Sequence, residues 1–388
     1  MARGEYNMIP QKQGQIITFY SYKGGTGRTM ALANLAVILS KKYGGSKKIL
    51  MVDWDLDAPG LHQYFRSSIP VDKNGEFEVF LKEKPGLIEL FMKLEQVTRK
   101  REFRSEQKAD EVFKKINFKR FVTETSITSL HLLKAGCFDS KYSYWVNTFK
   151  WEALFKRVPW LFLKFARYLT SQYNYVLIDS RTGVTDISGI CTMLMPEKLV
   201  TVFTPNHQSL EGTIEIIRRS TDYRRQSADL RPLVVFPLAS RVEMSEQVLR
   251  ILWRSNDNPY KGLIGYQLKN DNPDKGLIGY QLKFEKLFKE IYELPECNLT
   301  EYFDEVLIQH SSYYSYGEEV AALEEKVSDR LSFARSYENF AECLINAQVP
   351  WELPFFPKSG LKVKREQIFI SYSHCDRAWL ERVQKHLR

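Results

Sequence analysis

Short runs of β-branched and aromatic residues alternate along the chain with longer stretches of helical period. Ile16 to Tyr20 is apolar throughout, as in a strand covered on both faces of a sheet. It breaks into Lys23-Gly24-Gly25-Thr26-Gly27-Arg28-Thr29, and a helical pattern follows from Met30 to about Lys42, closed by Gly44-Gly45. Ile49 to Val52 predicts a second buried strand, ending in Asp53-Trp54-Asp55-Leu56-Asp57. Pro85-Gly86 opens a helix through Leu87, Ile88, Leu90 and Phe91, and a basic helical region covers 99–120. Leu130 to Leu133 reads as a short strand, and the aromatics crowded between Trp145 and Leu169 have the spacing of core-packed helix. Tyr175 to Ile178 is a strand ending on Asp179; Leu199 to Phe203 and Leu233 to Phe236 add two more. Phe284 to Glu293 is helical, 301–308 reads as a last strand and 328–347 as a closing helix. This alternation predicts an α/β fold, a mostly parallel twisted sheet with helices on both faces.

The first strand, the glycine-rich loop and the following helix make a phosphate cradle. Gly24, Gly25 and Gly27 let backbone N–H groups close around phosphate oxygens, and the helix N-terminus adds its positive dipole end. Thr26 lies within that loop, and Thr29 stands where a P-loop hydroxyl ligates Mg²⁺. Arg28 takes the place of the usual lysine, and a second cation, Lys23, begins the loop. Asp53, Asp55 and Asp57 end a strand expected beside the loop strand, at the carboxyl edge of a parallel sheet where ligands bind. Beside a phosphate loop their task is to hold Mg²⁺ through water and to orient the attacking water. Tyr175-Val176-Leu177-Ile178-Asp179 has the form of a Walker B strand, with Asp179 set to reach Mg²⁺ directly or through a bound water. Arg181 and Gly183 follow in a γ-phosphate-sensing loop. Asn206, Gln208, Ser240 and Arg241 lie in loops after later strands and are candidates for the base and ribose, although for any one taken singly a solvated loop residue is the favoured reading.

Length and charge narrow the picture. A chain of 388 residues has room for one large domain and something smaller, and a 44% hydrophobic fraction supplies a sizeable core. The sequence shows neither a long uncharged apolar run nor an apolar N-terminal signal, so no transmembrane segment and a cytosolic location are expected. Five cysteines, far apart and without a CxxC pair, argue against a disulfide framework or a cysteine metal site. The formal charge of +9 is densest over 99–120, where Glu102, Glu106, Asp110 and Glu111 interleave with the cations. That predicts a salt-bridged helix face, with nucleic-acid or lipid contact the minority reading. The segment 256–269 recurs at 270–283 with one difference; two copies are too few for a solenoid and suggest an extended surface hairpin. Pro350 to Pro357 reads as a semi-rigid linker.

Three motifs in order, KGGTGRT, VDWDLD and VLIDSRTG, make residues 15–345 resemble a MinD/ParA-type ATPase with a deviant Walker A loop, a P-loop class in which two subunits sandwich two ATP molecules. The resemblance implies ATP and Mg²⁺ as cofactors and an ATP-dependent homodimer. Lys23 would reach the partner's phosphates, Thr29 and Asp179 would hold Mg²⁺, Asp55 would position the hydrolytic water and Asp53 would support the metal shell. Arg28 departs from the pattern and bears on the rate of hydrolysis. The C-terminal FISYSHCDRAWLERVQKHL resembles the opening strand and helix of a Toll/interleukin-1 receptor (TIR) domain. The NAD⁺-cleaving glutamate of TIR enzymes would lie beyond it, so no NAD⁺ hydrolysis is expected of these residues. The expected organisation is therefore an ATPase domain over 1–348 with the duplicated insert at 256–283, a linker over 349–366 and a TIR-like fragment over 367–388. The expected function is a slowly hydrolysing dimerisation switch that controls a TIR effector in signalling or antiviral defence, with partner proteins engaged through the TIR segment. The alternatives are a partition or positioning ATPase on DNA or membrane, or a scaffold that keeps its nucleotide.

Overall fold

The computed structural model describes residues 14–69, 77–227, 231–255, 279–325, 332–346 and 349–352. Its strands are β1 (Gln15–Tyr20), β2 (Ile49–Trp54), β3 (Thr123–Glu124), β4 (Leu130–Leu133), β5 (Tyr175–Ser180), β6 (Lys198–Phe203), β7 (Val234–Val242) and β8 (Leu307–Gln309). They form one eight-stranded sheet in the order β3-β4-β2-β5-β1-β6-β7-β8. Every pairing is parallel except that of β3 with β4. The α/β expectation therefore holds, including the buried character of β1, β2 and β5, which a parallel sheet covered on both faces requires.

The strand order corrects one expectation. The acidic strand β2 is not beside β1; β5 lies between them, pairing Phe19 with Asp179 on one side and Asp53 with Asp179 on the other. The glycine loop, the acidic run 53–57 and Asp179 thus emerge side by side from the same edge. Right-handed crossovers through helices allow this, because neighbours in a parallel sheet need not be neighbours in sequence.

The loop leads into helix α1 (Arg28–Tyr43), buried continuously from Ala31 to Ser40 between the sheet and the closing helix Phe333–Asn346. A helix covered on several sides is apolar nearly all round, as ALANLAVIL is. Its one interior amide, Asn34, donates to Met30 O and accepts from the Ala322 N–H, both at 2.9 Å, so the segment after β8 is tied down onto α1. Gly44 ends the helix in the left-handed conformation, φ 51°, and its N–H closes onto Ser40 O.

Elsewhere local chemistry redraws the predicted elements. The aromatic stretch is three helices, Tyr142–Thr148, Trp151–Arg157 and Trp160–Gln172, the last of them started afresh at Pro159. The 99–120 region is not one helix face: it is a series of single turns around a short helix Ala109–Lys114, and it buries Phe103, Val112, Phe113 and Phe118. The segment 300–305 is helix, entered through a turn in which Asn298 Oδ1 accepts the Thr300 N–H at 2.8 Å, and β8 is confined to Leu307–Gln309. Most of the repeat, 256–278, lies outside the described residues, but its last four residues begin the helix Tyr280–Ile291 rather than a ribbon. Tyr280 explains the change, since it is buried against Phe203 and Phe303 at centroid distances of 5.3 and 5.0 Å. The long helix His207–Gln226 carries no strong apolar stripe and is not evident in the sequence pattern. The TIR-like segment lies outside the described residues, and among those described no helix is long and apolar enough to cross a membrane.

Trp54, fully buried, holds the end of β2 by packing on Phe91, Trp151 and Phe165 at centroid distances of 5.2, 6.0 and 6.4 Å. Strand alternation sends this ring to one face while Asp53 goes to the other. Trp54→Ala should lower unfolding stability by about 3–5 kcal/mol in a urea titration. A loss below about 1 kcal/mol would show that this aromatic cluster does not anchor the strand end.

Candidate functional site

Glycine at two loop positions is a backbone requirement. Gly25 and Gly27 adopt φ of 72° and 87°, and a Cβ on Gly27 would stand 3.1 Å from Ser240 Oγ. Gly24 and Gly25 face open space, with nothing within 4 Å of a Cβ built on either. Gly27 caps α1 and its carbonyl accepts the Ala31 N–H at 2.9 Å, while the N–H groups of the first turn have no intrahelical acceptors. The loop is an open, positively polarised concavity at a helix start.

Beneath it lies a buried ionic network. Arg28 turns inward: Nε donates to Asp179 Oδ1 at 2.5 Å and Nη2 donates to Asp55 Oδ2 at 2.7 Å. Thr29 Oγ1 donates to the other oxygen of Asp179, at 2.7 Å. Burial works against charge on Arg28, but the two carboxylates outweigh it and hold the guanidinium above its ordinary pKa. For Asp179 burial dominates and pushes the carboxyl up to about 6; Arg28 pulls it down, and the nearby Asp53 adds to the rise. The short bond to a charged guanidinium makes Asp179 a carboxylate at neutral pH.

Arg28, Thr29 and Asp55 line a cleft of about 490 Å³, within the size of small-ligand pockets, and Asp179 is buried behind them. Its floor is Gly24 to Met30 with Asp55 and Asp57; Tyr64, Arg181, Arg241 and residues from 314–318 form walls. Arg181 pairs with Asp57, and the Gly183 carbonyl, at φ 72°, accepts from Tyr20 Oη at 3.2 Å. A bulge between Ala239 and Val242 puts Arg241 at φ 54° and leaves it on the cleft. The half-buried Lys23 does not line the cleft of its own chain, and its ammonium makes no contact among the described residues.

Several expected site residues do not line the cleft, among them Asp179 and Gly183. Asn206 caps the helix His207–Gln226, Oδ1 accepting the Ser209 N–H at 2.9 Å and Nδ2 donating to Thr204 at 2.6 Å, so its amide is spent on its own helix. Asp53, fully buried, accepts the Leu61 N–H at 3.2 Å and lies 3.9 Å from His62 Nδ1; it pins the returning loop and does not line the cleft. Gln208 is exposed on that same helix. The walls that sequence reasoning missed are Tyr64 and the 314–318 segment. A signal for the second existed, since the tyrosine-rich run directly follows a strand end at the sheet's carboxyl edge. Tyr64 had none: its place depends on the Asp53–Leu61 bond turning the chain back.

The orphaned groups show what would fit. Thr26 Oγ1 and Arg28 Nη1 are buried without partners, and both are donors in a cradle of open glycines. An anion of phosphate type satisfies them. Thr29 and Asp179 are hard oxygen donors of the kind Mg²⁺ takes, although Arg28 holds one oxygen of each carboxylate. Among the described residues no cluster of three or more His, Cys, Asp or Glu is placed to hold a metal.

No protein-family model matches the chain, and no curated protein matches it in sequence. Solved structures do match. Apo McdA from Cyanothece aligns with a TM-score of 0.50 at 16% identity, covering 85% of this chain and 99% of its own. A Cyanothece McdA–ATP complex carrying an aspartate-to-alanine substitution gives 0.49 at 16%, covering 85% and 96%. The septum site-determining protein MinD of Pyrococcus horikoshii, complexed with Mg-ADP, gives 0.47 at 17%, covering 87% and 100%. The mostly parallel eight-stranded sheet with its helices is the fold of MinD/ParA-type P-loop proteins.

Gly27→Ala tests the loop. The left-handed φ should cost about 1–2 kcal/mol of stability in thermal unfolding. The approach of its Cβ to Ser240 should also distort the cradle and weaken phosphate-ligand binding in calorimetry. An alanine variant equal to the native protein in both would remove the cradle assignment.

Proposed function

We propose that this chain is an ATP-binding P-loop ATPase with a deviant Walker A loop, which hydrolyses slowly and serves as a nucleotide-dependent dimerisation switch. The observation that carries the reading is a cleft lined by the left-handed glycine loop, Thr29 and Asp55, with Asp179 bonded to Thr29 and Arg28 behind it and two orphaned buried donors alongside. The loop amides and Thr26 bind phosphate oxygens, Arg28 Nη1 faces the same anion, and Arg181 and Arg241 add charge from the walls. Tyr316, exposed on the cleft wall, offers an aromatic face for a base. Mg²⁺, when bound by Thr29 and Asp179, supplies charge neutralisation to the phosphates. Asp55 orients the attacking water once its carboxylate is released from Arg28. Lys23, which does not line its own cleft, reaches a second subunit. The TIR-like fragment at 367–388, after a linker over 349–366, makes an effector in signalling or defence the output of the switch.

One observation favours a second reading, in which bound nucleotide is structural. Asp55, the water-positioning candidate, is engaged by Arg28 at 2.7 Å. Measurable turnover by the native protein excludes this reading, and turnover that appears only in Arg28→Lys supports it.

ATP with Mg²⁺ should double the mass seen by light scattering from monomer to dimer. No nucleotide effect on a monomeric protein contradicts the switch. Lys23→Ala should weaken dimerisation by about tenfold or more, roughly 1.4 kcal/mol, while leaving nucleotide affinity within about threefold. Asp55→Ala should bind ATP and accumulate as the dimer; normal hydrolysis by that variant would remove Asp55 from its role.

A further inference from the structure

Arg28 does more than substitute for a lysine. Its guanidinium lies between Asp55 and Asp179, bonded to one oxygen of each, and it is only 7% exposed. Thr29 takes the remaining Asp179 oxygen, so both candidate metal ligands are already committed, one to a cation and the other to a carboxylate. Two like-charged carboxylates converging below a sheet edge would repel without a cation between them. The protein supplies that cation itself. Arg28 Nη1 is meanwhile buried with no partner, on a side chain that lines the cleft.

We infer that Arg28 is a resident counter-cation that keeps the metal position closed until nucleotide arrives, so that a divalent ion enters only together with phosphate. The inference rests on the nucleotide-site reading above. A metal ion arriving alone would have to expel the guanidinium from Asp179 and set its own charge beside a buried cation, which is strongly unfavourable. Phosphate oxygens in the glycine loop give the guanidinium a second anionic partner within reach of Nη1. Arg28 then moves its bonds from carboxylate to phosphate, which frees Asp179 to join Thr29 at the metal position and Asp55 to orient water. Metal and nucleotide therefore bind with positive coupling, and linkage makes that coupling equal in both directions. A lysine at position 28 could not do this, since one ammonium lacks the planar fork that spans both carboxylates and keeps a third nitrogen toward the ligand.

Mn²⁺ is the probe, with free ion read by electron paramagnetic resonance in nucleotide-free protein. The native chain should bind Mn²⁺ at least about tenfold more weakly than Arg28→Gln or Arg28→Lys. Both variants are included because either could fail to fold, and thermal unfolding shows which are native-like. Equal affinity in native and variant protein, or no binding by any of them, overturns the inference. A second readout needs no variant. The ¹⁵Nε–H resonance of Arg28 should stay unmoved by Mg²⁺ alone and shift when ATP is added with Mg²⁺; a shift with Mg²⁺ alone overturns the inference. ATP binding in the presence of Mg²⁺, measured separately by calorimetry, decides the nucleotide reading itself. If ATP does not bind, that reading falls, whereas failure of the Mn²⁺ comparison with ATP binding intact removes only the role given to Arg28.

Discussion

The guanidinium of Arg28, buried between Asp179 and Asp55, is the constraint on which the site depends. Burying three charges costs desolvation that only close, well-directed hydrogen bonds offset, and losing one partner would leave the others buried without compensation. That demand fixes where three separate chain segments must meet. β1 must deliver the loop, β2 must deliver Asp55, and β5 must come between them to place Asp179 within 2.5 Å of Nε. The hydrophobic sheet and its helices make this arrangement rigid, with Trp54 and the aromatic cluster holding one side and the buried α1 the other.

Around the network, the binding surface is assembled from turns whose backbone geometry is unusual. Gly25, Gly27 and Gly183 are left-handed, and so is the non-glycine Arg241 at the bulge of β7. Such conformations are retained where surrounding structure dictates them, and those of Gly25, Gly27 and Arg241 converge on one cleft. The far wall, drawn from 314–318, is held in place indirectly, because the next segment is bonded to Asn34 of α1. A binding cleft thus draws on the whole length of the described chain.

The sequence exposed much of this and hid the rest for identifiable reasons. Buried parallel strands announce themselves as unbroken apolar runs, so β1, β2, β5, β6 and the start of β7 were legible. Glycines that need left-handed φ, and aspartates at strand ends, were legible as chemistry. The helix His207–Gln226 escaped because its mean composition is polar, and in 301–308 a short helix precedes the strand because its aromatics Tyr302 and Phe303 pack into the core from helical geometry. Asn206 looked like a ligand residue for the same reason it is a cap: a short side-chain amide serves either purpose, and only the neighbouring backbone chooses.

What the sequence determined by itself was therefore local: a glycine loop between strand and helix, carboxylates at strand ends, and an apolar pattern that demands a covered parallel sheet. These follow from φ/ψ limits and from burial, which act over a few residues. Tertiary structure alone decided strand order, hence that Asp179 and not Asp53 adjoins the loop strand. It alone turned Asp53 to pin a loop and Arg28 inward to two carboxylates. Charge pairing in a low-dielectric interior depends on distance in space, and residues 28, 55 and 179 acquire theirs only when the sheet is complete.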